Sequence, residues 1–260
     1  MKSFPNFRYV REATQGASAA RNRGWREARA DYVAFADDDA LMPPHWLALA
    51  KDIIEKHEPT GLGGPFYPFY ISEKPYWFKD QYGSWLGMEQ EGTLPAKQYL
   101  SGMNMIFQRR VLQEVGGFTN SLGPCGGKVG YGEEPTLQMR IRGNEPDSVI
   151  YFHPDLFVYH LVAPFRTTLW GGCKDKFITG RYSVRVFWNQ QSAPTSKKIL
   201  LLRLIKTCKA MLLDFCFGLV RRDRTKQPYC KQVIYEIMAV HVPYLGILWE
   251  KWRLISGASQ

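Results

Sequence analysis

Short apolar runs alternate with polar turns over the first 160 residues, a pattern typical of an α/β domain. Residues 32–36 form an apolar run bounded by polar residues, which fits a strand buried on both faces of a parallel sheet better than a short helix. Apolar residues recur at helical spacing over residues 44–56 and predict an amphipathic helix packed on that sheet. Further runs predict strands at residues 7–10, 149–152 and 157–160.

Three consecutive carboxylates, Asp37, Asp38 and Asp39, follow the strand predicted at residues 32–36. Ligands of open α/β sheets bind at the carboxyl ends of the strands, so these side chains are expected in a crevice there. Like charges this close repel one another, and a hard cation relieves the repulsion. A solvated acidic turn is the better interpretation of an isolated Asp triplet, but the flanking residues favour a site.

Four short motifs surround the triplet in a fixed order: ARNxG at residues 20–24, PPxWL at 43–47, GMN at 102–104 and GGF at 116–118. Each is common alone, whereas their order and spacing are specific. Together with the Asp triplet they resemble the middle of a family 2, GT-A type glycosyltransferase. The resemblance implies an α/β, Rossmann-like fold with a mostly parallel sheet flanked by helices and followed by a C-terminal helical tail. It also implies inverting transfer of a sugar from a nucleotide-diphosphate donor.

The resemblance also implies a divalent metal, Mn²⁺ or Mg²⁺, on the diphosphate of the nucleotide sugar. The last aspartate of the family's DxD element corresponds to Asp39, with Asp37 as a second ligand and Asp38 among the donor-binding residues. A histidine after a late strand commonly completes this metal site, and His160 occupies that place. A histidine leaving an apolar run is otherwise usually structural, which is our interpretation of His153.

Three further residues are candidates for the donor and for catalysis. Arg21 near a helix start suits a diphosphate, although a surface helix arginine is equally consistent. Gly102 would let the donor sugar approach the backbone closely, the alternative being a bulge in a core strand. Glu133 and Glu134 open a predicted helix, where the helix dipole stabilises carboxylates. In the family a Glu-Asp pair at this place supplies the general base, and Glu134 stands at the Asp position.

Two segments add to or depart from the family pattern. Residues 122–132 are rich in glycine and predict a mobile lid over the donor, since Val129 follows Lys128 where a P-loop needs Ser or Thr. In the family, a strand, a helix and a strand that contact the nucleotide precede this region. That unit, on the order of 30 residues or more, is missing here. The chain is therefore expected to be N-terminally truncated, or to use another segment in its place.

An apolar content of 45% over 260 residues predicts a globular protein. The resemblance implies a GT-A-like catalytic domain at residues 1–165, followed at residues 166–260 by an acceptor-side segment and a basic amphipathic helical tail. From Thr195 onward there are 12 Lys and Arg and 4 Asp and Glu, so residues 195–260 hold +8 of the net charge of +10. The five cysteines form no CxxC pair and predict reduced thiols in the cytosol. The N-terminus has no long apolar core and is not expected to be a signal peptide.

Two apolar helices are predicted in the tail, at residues 197–220 and 233–254, the second broken at Pro243. Neither contains the 18 or so apolar residues expected of a membrane-spanning helix. Arg203, Lys206 and Lys209 are spaced to share one face, so the first helix could lie among the headgroups of an anionic membrane or equally dock on the catalytic domain. No nucleic-acid-binding motif accompanies the charge.

We therefore predict a glycosyltransferase that moves a sugar onto a hydroxyl of a glycan or lipid-linked acceptor. It is expected in the cytoplasm, or peripherally on the inner face of the plasma membrane. The competing hypothesis is a non-catalytic interaction or assembly protein derived from a glycosyltransferase that lost its nucleotide-binding front. A nucleotidyltransferase shares the carboxylate and metal chemistry but does not require the Glu-Glu pair. The base and sugar of the donor stay open.

Overall fold

The computed structural model describes residues 7–127, 129–187 and 196–257. The chain divides into two compact units that interleave along the sequence. A sheet unit comprises residues up to 38, 42–65 and 86–158, and a helical unit comprises residues 39–41, 66–85 and those from 159 onward. Segment 66–85, which is rich in aromatic residues, therefore belongs to the same compact unit as the tail. The predicted boundary at residue 165 between the catalytic domain and the tail stays a prediction. Lys128, which belongs to the predicted lid, lies outside the described residues. So do residues 1–6, on which the prediction about a signal peptide depends.

In chain order the elements are α1 (Ala17–Glu27), β1 (Tyr32–Phe35), β2 (Ala40–Leu41), α2 (Trp46–His57), β3 (Gly61–Gly63), β4 (Phe66–Phe69), β5 (Gly92–Thr93), β6 (Met105–Gln108), α3 (Arg109–Glu114), α4 (Glu133–Asn144), β7 (Ile150–Phe152), β8 (Val158–Leu161), α5 (Leu169–Phe187), α6 (Lys197–Arg221) and α7 (Cys230–Ile255). Two short 3-10 helices lie at Asp80–Tyr82 and Pro164–Thr167.

The predicted strands at residues 32–36, 149–152 and 157–160 are confirmed as β1, β7 and β8, and the predicted helix as α2. The strand predicted at residues 7–10 is wrong, because that segment has no regular structure. The side chains of Phe7 and Tyr9 are 75% and 80% exposed, so this apolar pattern has no sheet to pack on.

The sheet unit contains a five-stranded sheet in the order β1-β6-β3-β7-β5. Its α/β class is confirmed, but this sheet is mixed rather than mostly parallel, because β3–β7 is its one parallel pair and its other three pairs are antiparallel. The chain leaves β3 at Gly63 and enters β6 at Met105, which pairs with Gly63. No crossover returns it to the other end of the sheet, so β6 must run antiparallel to its neighbours.

Strands β1, β3 and β7 still share one direction, because β6 is antiparallel to both β1 and β3. Their carboxyl ends meet the start of β6 at one edge of the sheet. Asp37 follows β1 at this edge, and Gly102 lies just before β6. The buried amide of Asn104 braces the edge by donating to Pro65 O (3.2 Å) and Leu156 O (2.6 Å) and accepting from Trp46 Nε1 (3.0 Å). The sheet therefore presents a rigid edge to the candidate residues.

The helical unit is built on α7, which packs along both α5 and α6. The turn of α7 at Pro243 and Gly246 lies against Gly180 and Phe177 of α5, so closely that a Cβ at either glycine would overlap carbonyl oxygens. The predicted break at Pro243 is wrong, since α7 runs through it. Close packing on α5 holds this turn despite the missing amide hydrogen.

An aromatic cluster attaches segment 66–85 to α7. Trp77, Phe78 and Tyr235 are buried together with Val162, and the ring centroids of Tyr82 and Tyr235 lie 4.4 Å apart. Glu236 accepts from Lys79 Nζ (2.7 Å) and the Tyr82 hydroxyl (2.6 Å). Many aromatic residues of this segment therefore serve packing within the helical unit.

Of the described helices, α7 alone is long and apolar enough by composition to cross a membrane. The sequence prediction that the tail has no such stretch is wrong for α7, because the predicted break at Pro243 shortened the apolar run. A third of the most apolar 18-residue stretch of α7 is buried within the protein. Glu236 and Glu250 both lie on this helix and are paired with cations.

A buried carboxylate joins α5 to α7 near the carboxyl ends of both helices. Glu250 is fully buried and accepts from Arg181 Nε (2.8 Å), Arg185 Nε (2.9 Å) and Arg253 Nη2 (2.7 Å). Burial alone would raise the pKa of Glu250, but hydrogen bonds from Arg253, Arg181 and Arg185 outweigh it and lower the pKa to about 2. The carboxylate is therefore ionised at neutral pH.

Replacing Glu250 with Gln should lower the free energy of unfolding by about 3 kcal/mol at neutral pH, because three arginines lose their shared counter-charge. The lowered pKa of Glu250 means that its contribution is complete above its ordinary value of 4.5 and is lost as the pH falls towards about 2. Urea unfolding of wild type and variant should therefore converge over that acid range. Exposed Glu73→Gln is the matched control, and an equal loss in both variants would contradict this role.

Candidate active site

Arg21 is the centre of a charged cluster in the sheet unit. Its Nη2 donates to Asp37 Oδ1 at 2.8 Å and its Nη1 to Glu133 Oε1 at 3.0 Å. Only 12% of the Arg21 side chain is exposed, so the surface interpretation is wrong. Burial would lower the pKa of Arg21, but the charges of Asp37, Glu134 and Glu133 raise it above its ordinary value. A permanent cation therefore joins α1 to the end of β1 and the start of α4.

Glu134 is a carboxyl group whose proton affinity matches neutral pH. Its Oε1 accepts a hydrogen bond from Gly102 N at 3.2 Å. Part of the residue is open to solvent, but its carboxyl is densely surrounded, and this burial with the neighbouring Glu133 raises the pKa of Glu134 to about 8 against the opposing charge of Arg21. Acids and bases in enzymes are commonly tuned in this way, so Glu134 can accept a proton near physiological pH.

Glu133 is the member of this cluster that sequence reasoning assigned no role. It is 2% exposed, and its Oε2 is buried without a hydrogen-bond partner among the described residues. Such an unsatisfied carboxylate oxygen is costly and calls for an explanation. Glu133 and Arg21 are 112 residues apart in the chain, so no local pattern could have predicted their ion pair. The neighbouring Glu134 was the one feature of the sequence that pointed to Glu133.

Gly102 is required by the cluster itself. A Cβ added there would lie 2.5 Å from Arg21 Nη2 and 2.6 Å from Glu134 Oε1. Gly102 lies in a turn before β6, so the alternative of a bulge within a core strand is wrong. Gly123 plays a similar part, because its φ is +86° and a Cβ there would lie 2.8 Å from the Glu133 carboxyl carbon. Both glycines keep space around the acidic side chains.

A cleft of about 600 Å³ lies between α1 and β1, within the sheet unit. Its walls are mostly small or apolar: Ala17, Ala20, Gly24, Ala28, Tyr32, Val33, Ala34, Phe35 and Ala36. Arg21, Asp37 and Asp38 supply the charged part of the lining. Strand β1 forms one edge of the described sheet, so the cleft follows an edge strand. Its size and mixed lining suit a small molecule with a charged group.

Asp39 and His160 lie together in the helical unit. Strand β2 pairs with β8 so that Ala40 faces His160, and Leu161 N donates to Asp39 O at 2.9 Å. This register places His160 Nε2 3.4 Å from Asp39 Oδ2. Two ligands bound at about 2.0–2.2 Å to one metal ion lie roughly 3–3.5 Å apart, so one oxygen and one nitrogen donor here fit a shared divalent ion.

Among the described residues, no group of three or more His, Cys, Asp or Glu side chains is arranged as a metal site. The carboxylate of Asp37 is bound by Arg21 instead. The assignment of Asp37 as a third ligand thus stays a prediction. His153 pairs with Glu91 at 3.1 Å and accepts from Asp155 N, in keeping with the structural role expected for it.

Residues 1–116 match the family described as glycosyl transferase family 2. The match covers 116 of the 260 residues, and this part of the chain is similar to that family. The match covers the first three motifs and the Asp triplet, ends at the first glycine of the fourth motif, and confirms the resemblance drawn from them. It ends before α4, so the glycosyltransferase assignment of Glu133 and Glu134 depends on their contacts with Arg21 and Gly102.

Known glycosyltransferases resemble the chain. A glucosyl-dolichyl phosphate glucuronosyltransferase of Haloferax volcanii is 28% identical over 163 residues, which are 61% of this chain and 52% of that protein. The chain therefore spans about half the length of this curated relative.

Two solved structures resemble it weakly. The mannosyltransferase PcManGT of Pyrobaculum calidifontis, in complex with GDP-Man and Mn²⁺, has a TM-score of 0.49 at 16% identity, covering 91% of this chain and 67% of that chain. S. aureus TarS 1–349 with UDP has a TM-score of 0.41 at 13% identity, covering 93% and 72%.

Replacing Glu134 with Gln should stabilise the sheet unit at alkaline pH. The pKa of Glu134, about 8 when folded against an ordinary 4.5, means that the folded wild type holds a proton which the unfolded chain has released. Wild-type stability therefore falls as the pH rises between these values and levels off above about 8. The variant lacks this loss, so its advantage in urea unfolding should grow to on the order of 2 kcal/mol. A pH-independent difference, as expected of exposed Glu55→Gln, would contradict the raised pKa.

Proposed function

We propose that the protein catalyses the metal-dependent, inverting transfer of a sugar from a nucleotide-diphosphate donor to a hydroxyl of a glycan or lipid-linked acceptor. The observation that carries this proposal is the cluster of Arg21, Asp37, Glu133 and Glu134 at the carboxyl edge of the sheet. The family 2 match of residues 1–116 supports the reaction class. The relative from Haloferax is named for glucosyl-dolichyl phosphate, which favours a lipid-linked acceptor.

In this mechanism the ionised Glu134 takes the proton of the acceptor hydroxyl. The hydroxyl oxygen attacks the anomeric carbon as the bond from that carbon to the diphosphate oxygen breaks, and attack opposite the leaving group inverts the centre. Arg21 lies 2.8 Å from Asp37 and lines the cleft, where its guanidinium can bind a phosphate oxygen. Burial of the carboxyl and the nearby charge of Glu133 raise the pKa of Glu134, so that it can act as a base near neutral pH.

A divalent ion, Mn²⁺ or Mg²⁺, would neutralise the leaving diphosphate. Asp39 and His160 are the proposed ligands, on the basis of their 3.4 Å separation, with Asp37 as a third. Asp38 and Gly102 would contribute to the donor site, since Asp38 lines the cleft and Gly102 leaves room beside Arg21.

The charged cluster favours an enzyme over a non-catalytic remnant. Burying Glu133 beside Glu134, and raising the pKa of Glu134, destabilises the folded protein, and such a cost is typical of a functional site. A lipid-linked acceptor would place the enzyme at a membrane. We accordingly propose a cytoplasmic protein with peripheral contact to the inner membrane face through its basic tail.

Replacing Asp39 with Ala should abolish the stabilisation that a nucleotide sugar confers in the presence of Mn²⁺. A donor at a hundred times its dissociation constant adds about 2.7 kcal/mol, which is visible as a raised melting temperature. Uridine, guanosine, thymidine and cytidine diphosphate sugars should each be measured with and without Mn²⁺. Asp52→Ala on the exposed face of α2 is the matched control. If Asp39→Ala showed the full Mn²⁺-dependent increase in melting temperature, Asp39 would not be a metal ligand.

Replacing Glu134 with Gln should leave donor binding intact and reduce turnover by about 10²–10⁴-fold, the usual contribution of a general base. In the wild type, kcat/KM should increase with pH up to about 8, because the working form of Glu134 is the ionised one. Initial rates across this range test both expectations, with Glu55→Gln as control. A variant that loses donor binding but keeps its turnover would show that Glu134 is not the base.

A further inference from the structure

Helix α6 exposes an unusual amount of apolar surface. Over its 25 residues only Leu200 and Thr207 are buried. Nine large apolar side chains on it are at least 40% exposed: Ile199, Leu201, Leu202, Leu204, Ile205, Leu212, Leu213, Phe217 and Val220. Scattered single exposures of this kind are ordinary, but a continuous apolar helix face marks an interaction surface.

The contacts of α6 with α7 are confined to one narrow stripe. A Cβ at Gly218 would lie 3.2 Å from Ile237 of α7, and His241 pairs with Asp214 at 2.7 Å. Leu200 and Thr207 lie on this same stripe, seven residues apart. At 100° per residue, Leu201, Ile205 and Leu212 point to the opposite side, together with Leu202, Leu213 and Val220. We call these six residues the outer face of α6.

The charge on α6 is almost entirely positive. It carries six cationic side chains: Lys197, Lys198, Arg203, Lys206, Lys209 and Arg221. Its one acidic residue, Asp214, is held by His241 towards α7. Lys198 and Lys209 project among the residues of the outer face, where long lysine side chains can lie along apolar surface and extend their ammonium groups beyond it.

We propose that the outer face of α6 binds the surface of an anionic lipid bilayer, with the helix in the plane of the membrane. Such a surface offers an apolar layer for the leucines and, directly above it, phosphate groups for Lys198, Lys206 and Lys209. A second copy of this face would bring the same positive charge, and a nucleic acid offers no apolar layer. The lipid surface is therefore the occupant that satisfies both features, and this inference rests on the peripheral membrane contact proposed above, which it assigns to one face of α6.

The test is cosedimentation of the full chain with vesicles of phosphatidylcholine alone and of phosphatidylcholine with phosphatidylglycerol in equal parts. Binding should be at least tenfold tighter to the anionic vesicles and should weaken with added salt. The double variant Lys206→Glu, Lys209→Glu should lose roughly 30-fold or more in affinity, since each lysine near an anionic surface is worth about fivefold. The double variant Ile205→Ser, Leu212→Ser should lose at least tenfold.

Matched controls separate the outer face from the general charge of the tail. Lys226→Glu with Lys231→Glu makes the same charge change outside the outer face, and Ile71→Ser removes an exposed apolar side chain elsewhere. Both should bind as the wild type does. Far-ultraviolet circular dichroism and melting temperature check that each variant is folded.

Three results would overturn the proposal. They are the absence of binding to either vesicle, equal losses in the α6 variants and their controls, and a wild-type dimer that the Ile205→Ser, Leu212→Ser variant converts to monomer. The last result would assign the outer face to a contact between copies of the chain. None of them bears on donor binding, so the proposed transfer reaction stands or fails separately.

Discussion

The sheet unit depends on one guanidinium. Arg21 neutralises Asp37 and Glu133 at once, and without it three carboxylates gathered at the carboxyl edge of the sheet would repel one another. The same ion pairs connect α1 to the end of β1 and to the start of α4. Because Glu133 is occupied with Arg21, Glu134 is left with burial and like charge as its main influences, and its proton affinity rises towards neutral pH.

Strand direction explains why this edge exists. Strand β6 lies between β1 and β3 and runs antiparallel to both of them. The turn at Gly102, which precedes β6, therefore lies beside the carboxyl ends of β1, β3 and β7. In the helical unit a two-residue ladder has a comparable effect, since pairing of β2 with β8 brings Asp39 to His160. Asp38 and Asp39 are neighbours in the chain but belong to different compact units.

The helical unit holds its charge in two distinct ways. Around Glu250 the cations are partly buried and shared by one carboxylate, which ties α5 to α7. On α6 the cations lie beside exposed leucines with a single acidic residue among them. The excess charge of the tail is thus concentrated where apolar surface is also unprotected, the combination that anionic lipid surfaces satisfy.

Short motifs and apolar periodicity are local properties, so the amino-acid sequence was enough to predict the resemblance to family 2 glycosyltransferases, the α/β class and strands β1, β7 and β8. Contacts within the fold were needed to show that β6 is antiparallel, that the pattern at residues 7–10 forms no strand and that α7 continues through Pro243. They were also needed to show that Arg21 is buried between Asp37 and Glu133. Each of these results depends on contacts between residues far apart in the chain, which a local pattern does not encode.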